Sequence, residues 1–158
     1  MQNGKLIFKL ILLFSLTILQ VFGQQTKMRI YKGDKYTLEY PVEWQTTNEN
    51  GILNFFPIEN FGALTLSKHS DIDFPLENTK QVILDMYEIK DKPENVKMLR
   101  KGDIYEFTYQ HVDKDVKWVT KAFRNKTDFY LLTVNCELSK WDTNKDMFFK
   151  VINTFKIN

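Results

Sequence analysis

The chain is poor in the residues that most often carry chemistry. Its 158 residues include one cysteine, two histidines, six glycines and four prolines. A lone Cys136 forms no internal disulfide and no C-x-x-C pair. The glycines occur singly, so no loop supplies the run of backbone amides that cradles a phosphate. No G-x-S-x-G elbow and no H-E-x-x-H helix is present. Nor does any low-complexity stretch, block of like charge or Pro/Gly/Ser linker interrupt residues 28 to 158, which argues for a single domain.

The amino terminus has the three parts of an export signal: basic Lys5 and Lys9, an apolar run from Leu10 to Phe22, then Val21-Phe22-Gly23 before Gln24. The run is 13 residues long, and a helix needs about 20 to span a bilayer. Cleavage rather than anchoring is therefore expected, leaving a chain from Gln24 with no stable membrane anchor, periplasmic or secreted. No cysteine follows the cleavage point, so lipid attachment there is excluded. Lys5 and Lys9 leave with the signal, and the 22 basic residues fall to 20 against 20 acidic ones. Near neutrality argues against an electrostatic footprint for nucleic acid or anionic lipid, whose phosphates need a clustered basic face.

Short β-like runs punctuated by turns fill most of residues 28 to 137. MRIYKG and YTLEYP flank a turn at Lys32-Gly33-Asp34, where glycine is expected to supply a positive φ. GILNFFP, ALTLSKH, VKMLRKG, DIYEFTYQHV, DVKWVTKAFR and DFYLLTVNCE follow, with turns at Gly102-Asp103, Asp113-Lys114 and Asn125 to Thr127. Connections this short make the runs antiparallel neighbours. Two segments have helical spacing instead. Pro75 to Lys90 aligns Leu76, Val82, Ile83, Met86 and Ile89, and Thr143 to Asn153 aligns Met147, Phe148, Val151 and Ile152, with Thr143 and Asp146 placed as a capping box. Phe155 and Ile157 follow as an extended tail. The expected class is α+β, an antiparallel sheet flanked by helices.

Candidate chemistry is sparse. His69 and His111 close predicted strands and, with Asp71 or Asp113, would have to converge to hold zinc, which no spacing enforces. Cys136 served by His111 would need a local cation or helix N-terminus to stabilise a thiolate, and YLLTVNC has neither, so Cys136 reads as a buried small hydrophobe. Asp71-x-Asp73 and Asp113-x-Asp115 lack the glycine and closing glutamate of a calcium loop and read as solvated turns. Asn125-Lys126-Thr127 is a glycosylation sequon or simply a turn. K-G-D-x-Y-x-x-x-Y occurs at Lys32 to Tyr40 and again at Lys101 to Tyr109, read as two similar hairpins rather than a repeat. Aromatics make up 15% of the chain. Tyr105, Phe107 and Tyr109 alternate along one face, and His111, Tyr109 and Trp118 are the candidates for lining a pocket between sheet and helices.

Tyr40-Pro41, two residues, then Trp44 mark the start of a recognisable pattern. Phe55-Phe56-Pro57, Leu64-Thr65-Leu66-Ser67, the helix near Leu76 to Lys90, Tyr130-Leu131-Leu132-Thr133 and a closing helix into Ile152-Asn153-Thr154-Phe155 follow in order. Over residues 28 to 158 this resembles a PsbP-like domain, of the superfamily that includes the Mog-type nuclear import factors, the DcrB periplasmic proteins and the extrinsic PsbP subunit of photosystem II. The resemblance implies an antiparallel sheet between helices and a role in binding or assembly rather than catalysis. No catalytic, metal or cofactor residue is carried over. The expectation is an exported, non-catalytic module that binds an envelope or secreted protein, with a small-ligand carrier or hydrolase using a cleft between sheet and helices as the alternative.

Overall fold

Turn chemistry lays out most of the architecture. The computed structural model describes residues 26–70, 72–86, 97–102 and 104–158. The signal, Asp71, Asp103 and the second half of the Pro75–Lys90 helix, with Ile89, lie outside the described residues. Strands β1 (Met28–Gly33) and β2 (Tyr36–Pro41) form the first hairpin. Its positive φ falls on Lys35 at 62°, not on Gly33. Gly33 instead sits opposite Tyr36, whose ring lies where a Cβ would be, 2.1 Å from Cζ. Only a glycine lets that ring fold over the strand.

A seven-stranded antiparallel sheet follows: β3 (Gln45–Glu49), β4 (Ile52–Phe56), β5 (Gly62–Ser70), β6 (Lys97–Lys101), β7 (Ile104–Asp113), β8 (Val116–Arg124) and β9 (Asp128–Glu137), in the order β3-β4-β5-β9-β8-β7-β6. Strand β3 was not anticipated, because QTTNE has no apolar alternation and all five residues are exposed. Its signal is the turn: Asn50 and Gly51 have φ of 52° and 82°, the pair that a tight hairpin favours. Both K-G-D-x-Y segments sit at hairpins, β1–β2 and β6–β7. The carboxy-terminal tail is β10 (Lys156–Ile157), paired with β2, so β1, β2 and β10 make a separate three-stranded sheet.

A 3₁₀ turn (Leu76–Asn78) leads into helix α1 (Thr79–Met86), and β9 runs directly into α2 (Leu138–Asn153). Helix α2 therefore begins five residues before the expected Thr143. No side chain caps it, and Thr143 is an exposed mid-helix residue, so the proposed capping box does not exist. The stripe itself holds: Phe148, Val151 and Ile152 are buried and Met147 packs against them.

The seven-stranded sheet carries a core on each face. On one, α2 and the three-stranded sheet cover Phe55, Leu64, Leu66, Val119, Tyr130, Leu132 and Val134. Tyr40 meets Phe55 at 4.7 Å and Tyr36 meets Tyr130 at 5.6 Å between ring centroids. On the other, Ile83 of α1, with Leu84 and Ile72, covers Phe107, Ala122, Phe129 and Leu131. The fold is α+β, with antiparallel strands between helical layers.

Pro41 ends β2, and the Trp44 N–H donates back to the Pro41 carbonyl at 3.1 Å. The chain reverses there and the Trp44 indole, 5% exposed, packs on Phe148 of α2. Tyr40, Pro41 and Trp44 thus belong to the join between the small sheet, the large sheet and α2.

Candidate functional site

The β7–β8 hairpin brings the three predicted pocket residues together. Its register places His111 opposite Trp118, and Tyr109 precedes His111 by two on the same face. The rings stack: Tyr109 to His111 is 5.1 Å with 21° between planes, His111 to Trp118 is 6.1 Å with 8°. They sit on the face that α1 covers, toward the end that its described residues leave open. The buried Nδ1 of His111 has no hydrogen-bond partner among the described residues. Burial lowers the His111 pKa, Lys117 reinforces the shift and Asp113 opposes it, so the ring is neutral at pH 7.

The same face continues away from the stack as a polar row. Thr120 is opposite Thr133, Thr133 opposite Thr65, Thr65 opposite Asn54 and Asn54 opposite Thr47. The Thr120 and Thr133 hydroxyls are 3.2 Å apart and the Asn54 amide reaches the Thr47 hydroxyl at 3.4 Å. The row ends at β3, one of the sheet's two edge strands.

The remaining candidates do not converge. His69 is three strands from β7 and its register row meets β7 at Tyr105, six residues from His111. That is roughly 20 Å along the strand and 14 Å across, too far to share an ion. His69 instead contacts the Ser67 hydroxyl at 3.2 Å. Among the described residues no three His, Cys, Asp or Glu side chains gather as a metal site. Cys136 faces the α2 core, the opposite face from His111, and burial, reinforced by Glu137, raises its thiol pKa. No thiolate–imidazole pair can form across the sheet. Asn125 folds a turn, its Oδ1 accepting from the N–H of Thr127 and of Asp128 at 2.9 and 2.7 Å.

Sequence reasoning missed a cavity on the other face. About 450 Å³ opens between the carboxy-terminal end of α2, the tail and strands β6 to β8. Glu106 of β7 lies at its edge, accepting from Lys121 at 2.6 Å and Lys101 at 3.0 Å. Burial opposes ionisation of Glu106, but those two ammonium groups outweigh it and its pKa is lowered. Tyr109, His111 and Trp118 do not line this cavity.

No family model matches the sequence, and no curated protein is similar enough to match it. Solved structures are similar in fold. The cyanobacterial PsbP protein CyanoP of Synechocystis sp. PCC 6803 superposes with a TM-score of 0.63 at 14% identity, over 86% of this chain and 96% of that one. A structure from Bacteroides thetaiotaomicron superposes at 0.53 and 12% identity, over 85% of this chain and 49% of that one. The fold is PsbP-like, and at these identities the likeness carries fold alone. Among the described residues no helix is long and apolar enough to cross a membrane.

Proposed function

We propose that this chain is an exported, non-catalytic PsbP-type module that docks a protein of the cell envelope or a secreted protein on the open polar face of its large sheet. The observation that carries this reading is the row Thr47, Asn54, Thr65 and Thr133, which ends in an edge strand whose five residues are all exposed. Among the described residues nothing pairs with the outer side of β3. Such an edge accepts an added strand through its backbone groups, and alternate side chains on the face supply selectivity. The signal-like start at residues 1 to 23 supports export, and the balance of charge beyond it favours a protein over nucleic acid as partner. The PsbP-like fold and the scattered His69, His111 and Cys136 support a binding rather than a catalytic role.

A pull-down from envelope extract tests the reading, comparing the wild-type chain with a Thr47→Arg/Asn54→Arg variant. The wild type should retain a partner that the variant loses at unchanged thermal stability. Equal recovery by both would remove the open face from the interface. Mass analysis of exported protein should find Gln24 as the first residue, and a chain retaining Met1 would refute export by cleavage.

A further inference from the structure

The cavity beside α2 is built for a guest of one chemistry. Its volume of about 450 Å³ falls in the range of small-molecule sites, roughly 300 to 1,000 Å³. Ile104, Phe123, Phe155 and Ile157 give it an apolar floor, and buried Ile152 closes it from below. Among the described residues three ammonium groups ring it, Lys101, Lys121 and Lys156, against one carboxylate, Glu106. Glu106 is already engaged by Lys101 and Lys121, so the surplus charge facing a guest is positive.

Lys121 is the central group. Its side chain is only 14% exposed, and its Nζ donates to Glu106 Oε1 at 2.6 Å and Asn153 Oδ1 at 3.0 Å. An ammonium has three donors, and beyond these two oxygens the contact given for Lys121 among the described residues is the Phe123 ring, 6.0 Å from Nζ to centroid. A donor so shielded from water interacts more strongly with an anion than an exposed lysine does. Besides the Glu106 carboxylate, the negative end of the α2 dipole opposes an anion here. Two of its last carbonyls are taken: Val151 O accepts from the Thr154 N–H and hydroxyl at 3.0 and 2.7 Å, and Ile152 O from the Phe155 N–H at 3.2 Å. The described lining thus carries more ammonium groups than carboxylates, which favours an anion as guest.

We propose that this cavity binds a small amphipathic anion, a monocarboxylate whose head meets the Lys121 ammonium beside Lys101 and Lys156 and whose apolar body lies on Phe123 and Phe155. The site is on the opposite face of the sheet from the protein-docking surface proposed above and does not depend on it. Calorimetric titration of the purified protein with decanoate, and with decyltrimethylammonium as the matched cation, tests the assignment. Decanoate should bind saturably, at least tenfold tighter than the cation, and more weakly as salt is raised. Lys121→Met should weaken decanoate at least tenfold. Lys101→Glu/Lys156→Glu, which alters only exposed side chains, should weaken it to a similar degree and decides alone if the first variant fails to fold. Absence of saturable decanoate binding, equal affinity for the cation, or decanoate affinity unchanged in the double variant would overturn the proposal.

Discussion

Replacing Trp44 by alanine tests the join that fixes this fold. The indole is 5% exposed and packs on Phe148 with 5.5 Å between ring centroids. The backbone contacts of residue 44 survive the change: its N–H donates to Pro41 O at 3.1 Å, and its carbonyl accepts from the Arg29 guanidinium at 2.7 Å. What is lost is the ring. An aromatic side chain buries ~150 to 250 Å², worth about 4 to 6 kcal/mol at 25 cal/mol per Å². An extended unfolded reference makes that an upper bound, which agrees with the ~3 to 5 kcal/mol measured for such truncations. For a domain of this size the melting temperature should fall by roughly 10 to 20 °C, read by circular dichroism. Partner recovery measured well below the lowered melting temperature should be unchanged. A fall of under about 3 °C would show that the indole is not an anchor of the α2 interface.

Three further outcomes follow from individual sites. Burial works against ionisation of Asp128, but hydrogen bonds from Ser70 and Thr127 and the nearby Lys68 and Lys35 lower its pKa. Its contribution is therefore complete above the unfolded value of about 3.9 and is lost as pH falls through the folded value. Asp128→Asn should cost about 1 to 3 kcal/mol at pH 7 in urea unfolding, and the gap from wild type should narrow in acid. His111, whose pKa burial lowers, gives stability that is full above the unfolded value of about 6.5 and declines below it. His111→Phe should flatten the stability profile between pH 7 and 5, and an identical slope in both proteins would refute the burial argument. At Gly62 an added Cβ would meet Asn135 O at 2.2 Å and Cys136 Cα at 2.9 Å, both backbone of β9. Gly62→Ala should cost about 1 to 3 kcal/mol by forcing β5 and β9 apart, again read by urea unfolding.

The hairpins were legible because their signals are local. Once Asp113-Lys114 is read as a turn, antiparallel pairing alone puts His111 opposite Trp118 and Tyr109 beside them, as the register has it. Trp44 was legible from Pro41, which cannot continue a ladder, followed by a large apolar residue. Strand β3 was not, because an edge strand exposed on both sides needs no hydrophobic period. The start of α2 was obscured by its continuity with β9, where Glu137 makes no side-chain cap, while Thr143 and Asp146 imitated one inside the helix. Pairing of β10 with β2 joins residues 115 or more apart, as the Glu39 N–H does in donating to the Thr154 hydroxyl at 2.8 Å, and no local pattern encodes it.

Both proposed surfaces follow from how little of the sheet the helices can cover. Seven strands at about 4.8 Å spacing span roughly 29 Å. Sixteen residues of α2 reach about 24 Å and the eight described residues of α1 about 12 Å. Helix α2 packs on β9, β8 and β2, so the outer strands β7 and β6 extend past it and the cavity opens at that step. On the opposite face Ile83 and Leu84 of α1 cover the end with Phe107 and Phe129, where the sequence is apolar. The rows that the described part of α1 does not reach carry Thr47, Asn54, Thr65 and Thr133 instead. Hydroxyls and an amide in those rows keep the face wettable where the described residues place no covering layer. Replacing Thr65 and Thr133 by valine should therefore leave folding intact and make the purified domain self-associate, which light scattering would detect.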